Sequence, residues 1–249
     1  MKRYYGLSVI LMFCLSCAKP MIQIFEASSS NTKLVENSWV FENDTVRIEY
    51  NFWENYGKMQ FTVYNKLEKP FYIDWKNSSF IYNGVKLDYW IDEQKTTQSS
   101  TATYYKGIVF QGSASNSIKP EKVTFIPPQS TYSNHPKFHL EKELYPRLRT
   151  QENFWKIEDF APLKKPDTVF QKTFNYSSSP LKFRNYLSIS FSENGGAYFF
   201  VDNEFYLQSV KEMNMETSKG IPIGFNDHVP VYGKSPYENG HSFYITFKR

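Results

Sequence analysis

Cysteine is nearly absent from this chain of 249 residues: Cys14 and Cys17 are the only two, and none follows them. Disulfides and cysteine-ligated metals are thereby excluded from everything downstream, so the fold must rest on its hydrophobic core. Histidine is scarce, with four copies, and none of the common catalytic signatures occurs. There is no glycine-rich phosphate loop, no Gly-x-Ser-x-Gly elbow and no His-Glu-x-x-His pair. Charge of one sign does not dominate either: 29 Lys and Arg face 25 Asp and Glu, or 27 against 25 without Lys2 and Arg3. That balance does not suit nucleic acid or an anionic surface as partner. The apolar run over residues 7–15 falls short of the roughly 20 residues that a membrane-spanning helix needs. Aromatic residues, in contrast, are abundant: 22 Phe, 19 Tyr and 5 Trp, or 18% of the chain. Such side chains fit pleated, half-buried surfaces, which favours sheet over helix.

The N-terminal order is a basic pair, Lys2-Arg3, an apolar segment over 7–15, then Ser16-Cys17. This is the layout of a secretory signal peptide covering residues 1–17. Cys-x-x-Cys as a redox or zinc motif requires a folded pocket, which a leader does not provide. Ser16-Cys17 resembles the lipobox of bacterial lipoproteins, where a small residue precedes the cysteine that becomes acylated; Cys14 and Leu15 depart from its usual upstream residues. The resemblance implies that Cys17 carries palmitate-type acyl chains as the mature N-terminus, so that the membrane is a partner through that lipid. The other reading is an ordinary signal peptide with an incidental cysteine. Ala18, rather than an aspartate, implies by resemblance to lipoprotein sorting rules an outer-membrane location. No acidic run follows Cys17, which favours a periplasm-facing domain over surface exposure.

Residues 18–36 are polar and small and are expected to be a flexible tether. A domain over 37–249 follows. Strict alternation in 45–52 and in 58–65, with Asn55-Tyr56-Gly57 between them, predicts a β-hairpin. Further strands are expected at 70–75, 79–82, 85–90, 105–110 and 122–126, with Asn83-Gly84 as a hairpin turn. The Thr/Ser/Gln-rich stretch 96–102 is expected to be a mobile loop. Residues 133–167, with Pro136, Pro146, Pro162 and Pro166, form an irregular proline-rich insertion with helical turns at 141–144 and 152–160. Strands resume at 168–174, 183–191, 197–201, 204–210 and 242–247, with turns at Asn194-Gly195-Gly196 and Asp202-Asn203. The pattern predicts an all-β protein with little helix, an antiparallel β-sandwich, with a closed barrel as the alternative.

Three blocks resemble one family. They are the run from Tyr64-Asn65-Lys66 through Pro70-Phe71-Tyr72-Ile73-Asp74-Trp75 to Asn83-Gly84, then Val123-Thr124-Phe125-Ile126-Pro127-Pro128-Gln129-Ser130, then Ser179-Pro180-Leu181-Lys182-Phe183-Arg184-Asn185. In matching order, they resemble a group of Bacteroidetes-type lipoproteins with an immunoglobulin-like sandwich. The resemblance implies fold and location and no activity. On physical grounds Trp75 is expected to cap the sandwich core, and Asp74 to bond a backbone amide, Ser78 or Ser79 in the following turn.

Candidate ligand-binding residues are aromatic: Trp53, Trp90, Trp155, Tyr104 and Tyr105, with Tyr232 and Tyr237 beside loops, as flat platforms for the apolar face of a sugar. Packing in sandwich cores and edges is the competing use of the same residues. His135 and His139 stand at a spacing that a metal could use on a strand, and Asp227-His228 is an acid–base pair without an evident nucleophile. No catalytic residue, metal or cofactor is expected. The expected function is a lipid-anchored cell-envelope protein of binding or assembly type, with an envelope protein as partner. A surface glycan-binding module and an envelope hydrolase are the alternatives.

Overall fold

Alternation along the chain translates into burial. In 46–50 and 61–65, the odd or even positions that are apolar in sequence point into the core and their neighbours point out. A computed structural model describes residues 19–91, 95–105, 108–118, 121–145, 154–157, 167–193, 196–220 and 222–249, with the backbone alone for 95–105, 108–118, 154–157 and 167. In chain order the elements are β1 (Pro20–Ser29), β2 (Lys33–Val35), β3 (Ser38–Glu42), β4 (Val46–Tyr50), β5 (Phe61–Asn65), β6 (Phe71–Tyr82) and β7 (Val85–Asp88). There follow β8 (Lys95–Tyr105), β9 (Ile108–Ile118), β10 (Val123–Ile126), β11 (Thr131–Ser133), β12 (Phe154–Ile157), β13 (Asp167–Thr173), β14 (Lys182–Ser190) and β15 (Tyr198–Asn214). The four-residue helix α1 (Met215–Ser218), β16 (Pro222–Asn226), β17 (Val229–Tyr232) and β18 (Ser242–Lys248) complete the chain. Among the described residues no helix is long and apolar enough to cross a membrane.

The larger sheet runs β10-β6-β14-β15-β1-β18, all antiparallel. Its two long strands each serve two neighbours along one edge. β6 pairs β10 over 71–74 and β7 over 79–82, while β15 pairs β14 over 198–206 and β13 over 209–212. This sheet curls as a half-barrel. The smaller sheet, β11-β5-β4-β3-β2, packs against it through a shared core. Val46, Ile48, Tyr50, Phe61 and Val63 of the small sheet share one core with Phe71, Ile73, Phe183, Leu187, Phe205 and Phe243 of the large one. Tyr50 and Phe205 meet edge to face across it at 4.9 Å. Each such side chain contributes about 1.5–3 kcal/mol when fully buried, which is how the fold dispenses with disulfides. The protein is thus all-β, antiparallel and sandwich-like, as its composition predicts.

Several local expectations hold. β4 and β5 form the predicted hairpin pair, and Asn83-Gly84 turns β6 into β7 with both residues at positive φ (46° and 83°). Trp75 is 8% exposed in the core, and its Nε1 donates to Thr124 Oγ1 at 2.8 Å. Asp74 Oδ1 accepts the Lys76 amide at 3.0 Å, and Ser78 Oγ donates to the Asp74 carbonyl at 2.6 Å.

Others are overturned. The stretch expected as a tether contains β1, which lies between β15 and β18 with Met21, Ile22, Ile24, Phe25 and Ala27 buried. A strand covered on both faces reads as a continuous apolar run rather than an alternation, and Met21 to Phe25 is such a run interrupted by Gln23 alone. The expected loop 96–102 lies within β8, paired with β9, because its threonines suit a strand. The strand expected at 105–110 straddles the end of that hairpin. Residues 141–144 are irregular, and 154–157 form a strand on β13 instead of a helical turn. Asp202-Asn203 is no turn but the middle of β15. Asn203 is buried there and accepts the Tyr50 hydroxyl at 2.7 Å, while Asp202 pairs with Arg184 of β14. Tertiary partners for both side chains outweigh their turn propensity.

Candidate functional site

Residues 134–145 of the proline-rich insertion are held to the body of the fold without regular strand structure. Asn134 bonds main chain at both ends of its amide, accepting the Phe61 N–H at 2.7 Å and donating to the Met59 carbonyl at 2.9 Å. Further along, the Met59 N–H donates to Phe138, and the Leu140 and Glu141 amides donate to Gly57 and Tyr56. At its end, the Tyr145 N–H donates to Gln23 Oε1 at 2.8 Å, and Gln23 Nε2 returns a bond to the Tyr145 carbonyl. Gln23 is itself fixed by buried Glu212, whose other oxygen accepts Arg249 Nη1 at 2.8 Å. A buried carboxylate needs such partners, and here they clamp residues 137–145 against the curled sheet.

Between this segment and the sheet lies a cleft of about 670 Å³. Buried Phe25, Phe80 and Leu207 form its apolar base, with Phe138 and Leu87 beside them. Exposed Lys137, Lys142 and Glu143, with Glu141 half-buried, form its rim. Tyr82 faces Glu141, with its hydroxyl 3.4 Å from each carboxylate oxygen. Burial first, then the Glu141 charge, pushes its ionisation up to about 12, so it serves as a neutral hydrogen-bond donor at physiological pH. The size falls within the range of small-molecule sites, and an apolar base with a mixed-charge rim suits an amphipathic ligand or a projecting side chain of a partner. Among the described residues no group of three or more His, Cys, Asp or Glu side chains converges as a metal site would require.

Among the described residues singled out in the sequence, His139 lines this cleft, whereas Trp53 and Trp90 do not. Trp53 is half-buried against Tyr244, ring centroids 4.9 Å apart, in a small cluster with Met215 and Tyr237. Trp90 is half-buried against the main core. Both are therefore engaged in packing, the competing use of aromatics. Tyr104 and Tyr105 close the β8–β9 hairpin opposite Val109 and Ile108, and Trp155 pairs Val169 from β12; the side chains of these three, and Cys17, lie outside the described residues. His139 Nδ1 lies 3.3 Å from the Gly57 carbonyl, and His135 is exposed. Asp227 and His228 are the two left-handed residues of the β16–β17 turn, with φ of 46° and 66°. The cleft escaped recognition in the sequence because Phe25, Phe80, Phe138 and Leu207 come from four distant segments, each looking like core. Comparison with protein-family models, curated proteins and solved structures finds no match.

Proposed function

We propose that this protein is a lipid-anchored component of the cell envelope that acts by binding or assembly rather than catalysis, its acyl chains on Cys17 placing it in the outer membrane and its domain facing the periplasm. The observation that carries the binding reading is the cleft under residues 137–145, with an apolar base, a charged rim and a neutral tyrosine donor. The basic, apolar and Ser16-Cys17 order of the leader supports the anchor. The facing antiparallel sheets with Trp75 buried in their core support an immunoglobulin-like class for the sandwich.

Two measurements on one C-terminally tagged protein test this. Cys17→Ala should release the protein from the membrane fraction, and unchanged association would refute the anchor. Protease added to intact cells should leave the domain untouched until the outer membrane is permeabilised. Digestion in intact cells would overturn the periplasmic orientation. A photo-crosslinker at Leu144, on the rim of the cleft, should then trap a discrete envelope partner, and no adduct above background would count against assembly at this site.

A further inference from the structure

The β16–β17 hairpin belongs to neither large sheet. Its register sets Gly224 opposite Val231, Phe225 opposite Pro230 and Asn226 opposite Val229. Strand alternation therefore places Val229 and Val231 on one face and Phe225 with Pro230 on the other. Ile223 is 75% exposed, Phe225 72%, Val229 64% and Val231 42%. A hairpin standing in water ordinarily keeps at least one face polar, and this one is apolar on both.

Its position says what it meets. The residues at its base, Tyr232 and Gly233, share a hollow of about 380 Å³ with Ile22 near the start of β1. Met21 pairs with Asn214, the residue before α1, and α1 leads towards the arm. Lys19 and Arg249 exchange backbone hydrogen bonds at this same end. The described residues thus begin at Lys19, beside the root of the arm. Around that root stand Trp53, Tyr232, Tyr237 and Tyr244, aromatic side chains with one polar end each, the type that settles at the headgroup level of a bilayer.

We propose that the β16–β17 arm is a second, protein-made membrane contact that lies in the interfacial layer of a lipid bilayer. Its occupant is a lipid surface, chosen because the chain leading to Cys17 emerges at its root. That choice rests on the anchor reading, whereas the affinity of the arm for lipid does not. Asp227 at the turn opposes entry into hydrocarbon, so the arm lies along the interface instead of pointing through it.

The test uses the full chain as cells make it, with Phe225→Cys carrying an environment-sensitive nitrobenzoxadiazole label. Phe125→Cys, exposed at the far end of the large sheet, is the control. The mass of the N-terminal peptide is read first and reports separately whether Cys17 is acylated. If it is not, Cys14→Ser and Cys17→Ser precede labelling, and the test proceeds unchanged. With vesicles of phosphatidylethanolamine and phosphatidylglycerol, the label at 225 should brighten about twofold or more, shift to the blue and be quenched by nitroxide lipids, and that at 125 should not. A label at 225 that stays as water-exposed as at 125 overturns the proposal. So does equal shielding at both positions, or shielding without vesicles that grows with protein concentration, which would assign the arm to a second copy of the chain.

Discussion

Glu26, on β1, is surrounded by three groups from elsewhere in the chain. His241 Nε2 stands 3.7 Å from one carboxylate oxygen, while Ser209 Oγ at 2.8 Å and Lys211 Nζ at 3.2 Å reach the other. The histidine contributes most, then Lys211 and Ser209, and together they outweigh burial and hold the carboxyl down to about 2. Because the folded value lies below the unfolded one, the stabilisation is present above roughly pH 4.5 and is lost as pH falls towards 2. Glu26→Gln should therefore lower stability at neutral pH by about 1–3 kcal/mol and flatten the fall of Tm between pH 4.5 and 2. Thermal melts across that range read both effects, and parallel curves for the two proteins would show that Glu26 does not drive the acid limb. The same scale holds the buried chain in which the Tyr89 hydroxyl donates to Asn185, Asn185 to the Tyr50 hydroxyl, and Tyr50 to Asn203. Asn203, read in sequence as part of a turn, works here with Asn185 as a connector inside a sandwich.

Elements differ in how visible they are beforehand. β4, β5 and the Asn83-Gly84 turn were legible because alternation and an Asn-Gly pair are local signals. β1 was not, since its meaning comes from flanking strands far away in sequence, and a serine-rich end disguised it. Nor was the cleft, whose Phe25, Phe80, Phe138 and Leu207 become neighbours only after folding. Gly57 shows a third case, a turn residue whose cause lies on another element. Its φ is +61°, and a Cβ there would stand 2.7 Å from Phe243 Cγ on β18. Gly57→Ala should cost about 2 kcal/mol or more, from the left-handed backbone and the clash together. Gly224→Ala, with nothing within 4 Å and no positive φ, should lie within about 0.5 kcal/mol of the parent. Denaturant unfolding separates the two, and equal stability of both variants would refute the steric account.

At the scale of the molecule, the large sheet depends on a strand that the sequence presents as a linker. Deleting residues 20–29 should abolish cooperative unfolding and leave the chain open to limited proteolysis, because β15 and β18 both lose a partner. A truncated chain that still melted sharply near the parent temperature would show β1 to be peripheral. The pairing of β1 with β18 also imposes an order in time. The first described strand cannot complete its ladder until the last one exists, and Lys19 waits for Arg249. Bringing such distant segments together is slow, since the entropy of closing the intervening loop is lost before the contacts form. A ribosome must therefore have made residues 242–248 before this sheet can close, and until then β1 remains threadable through a narrow pore.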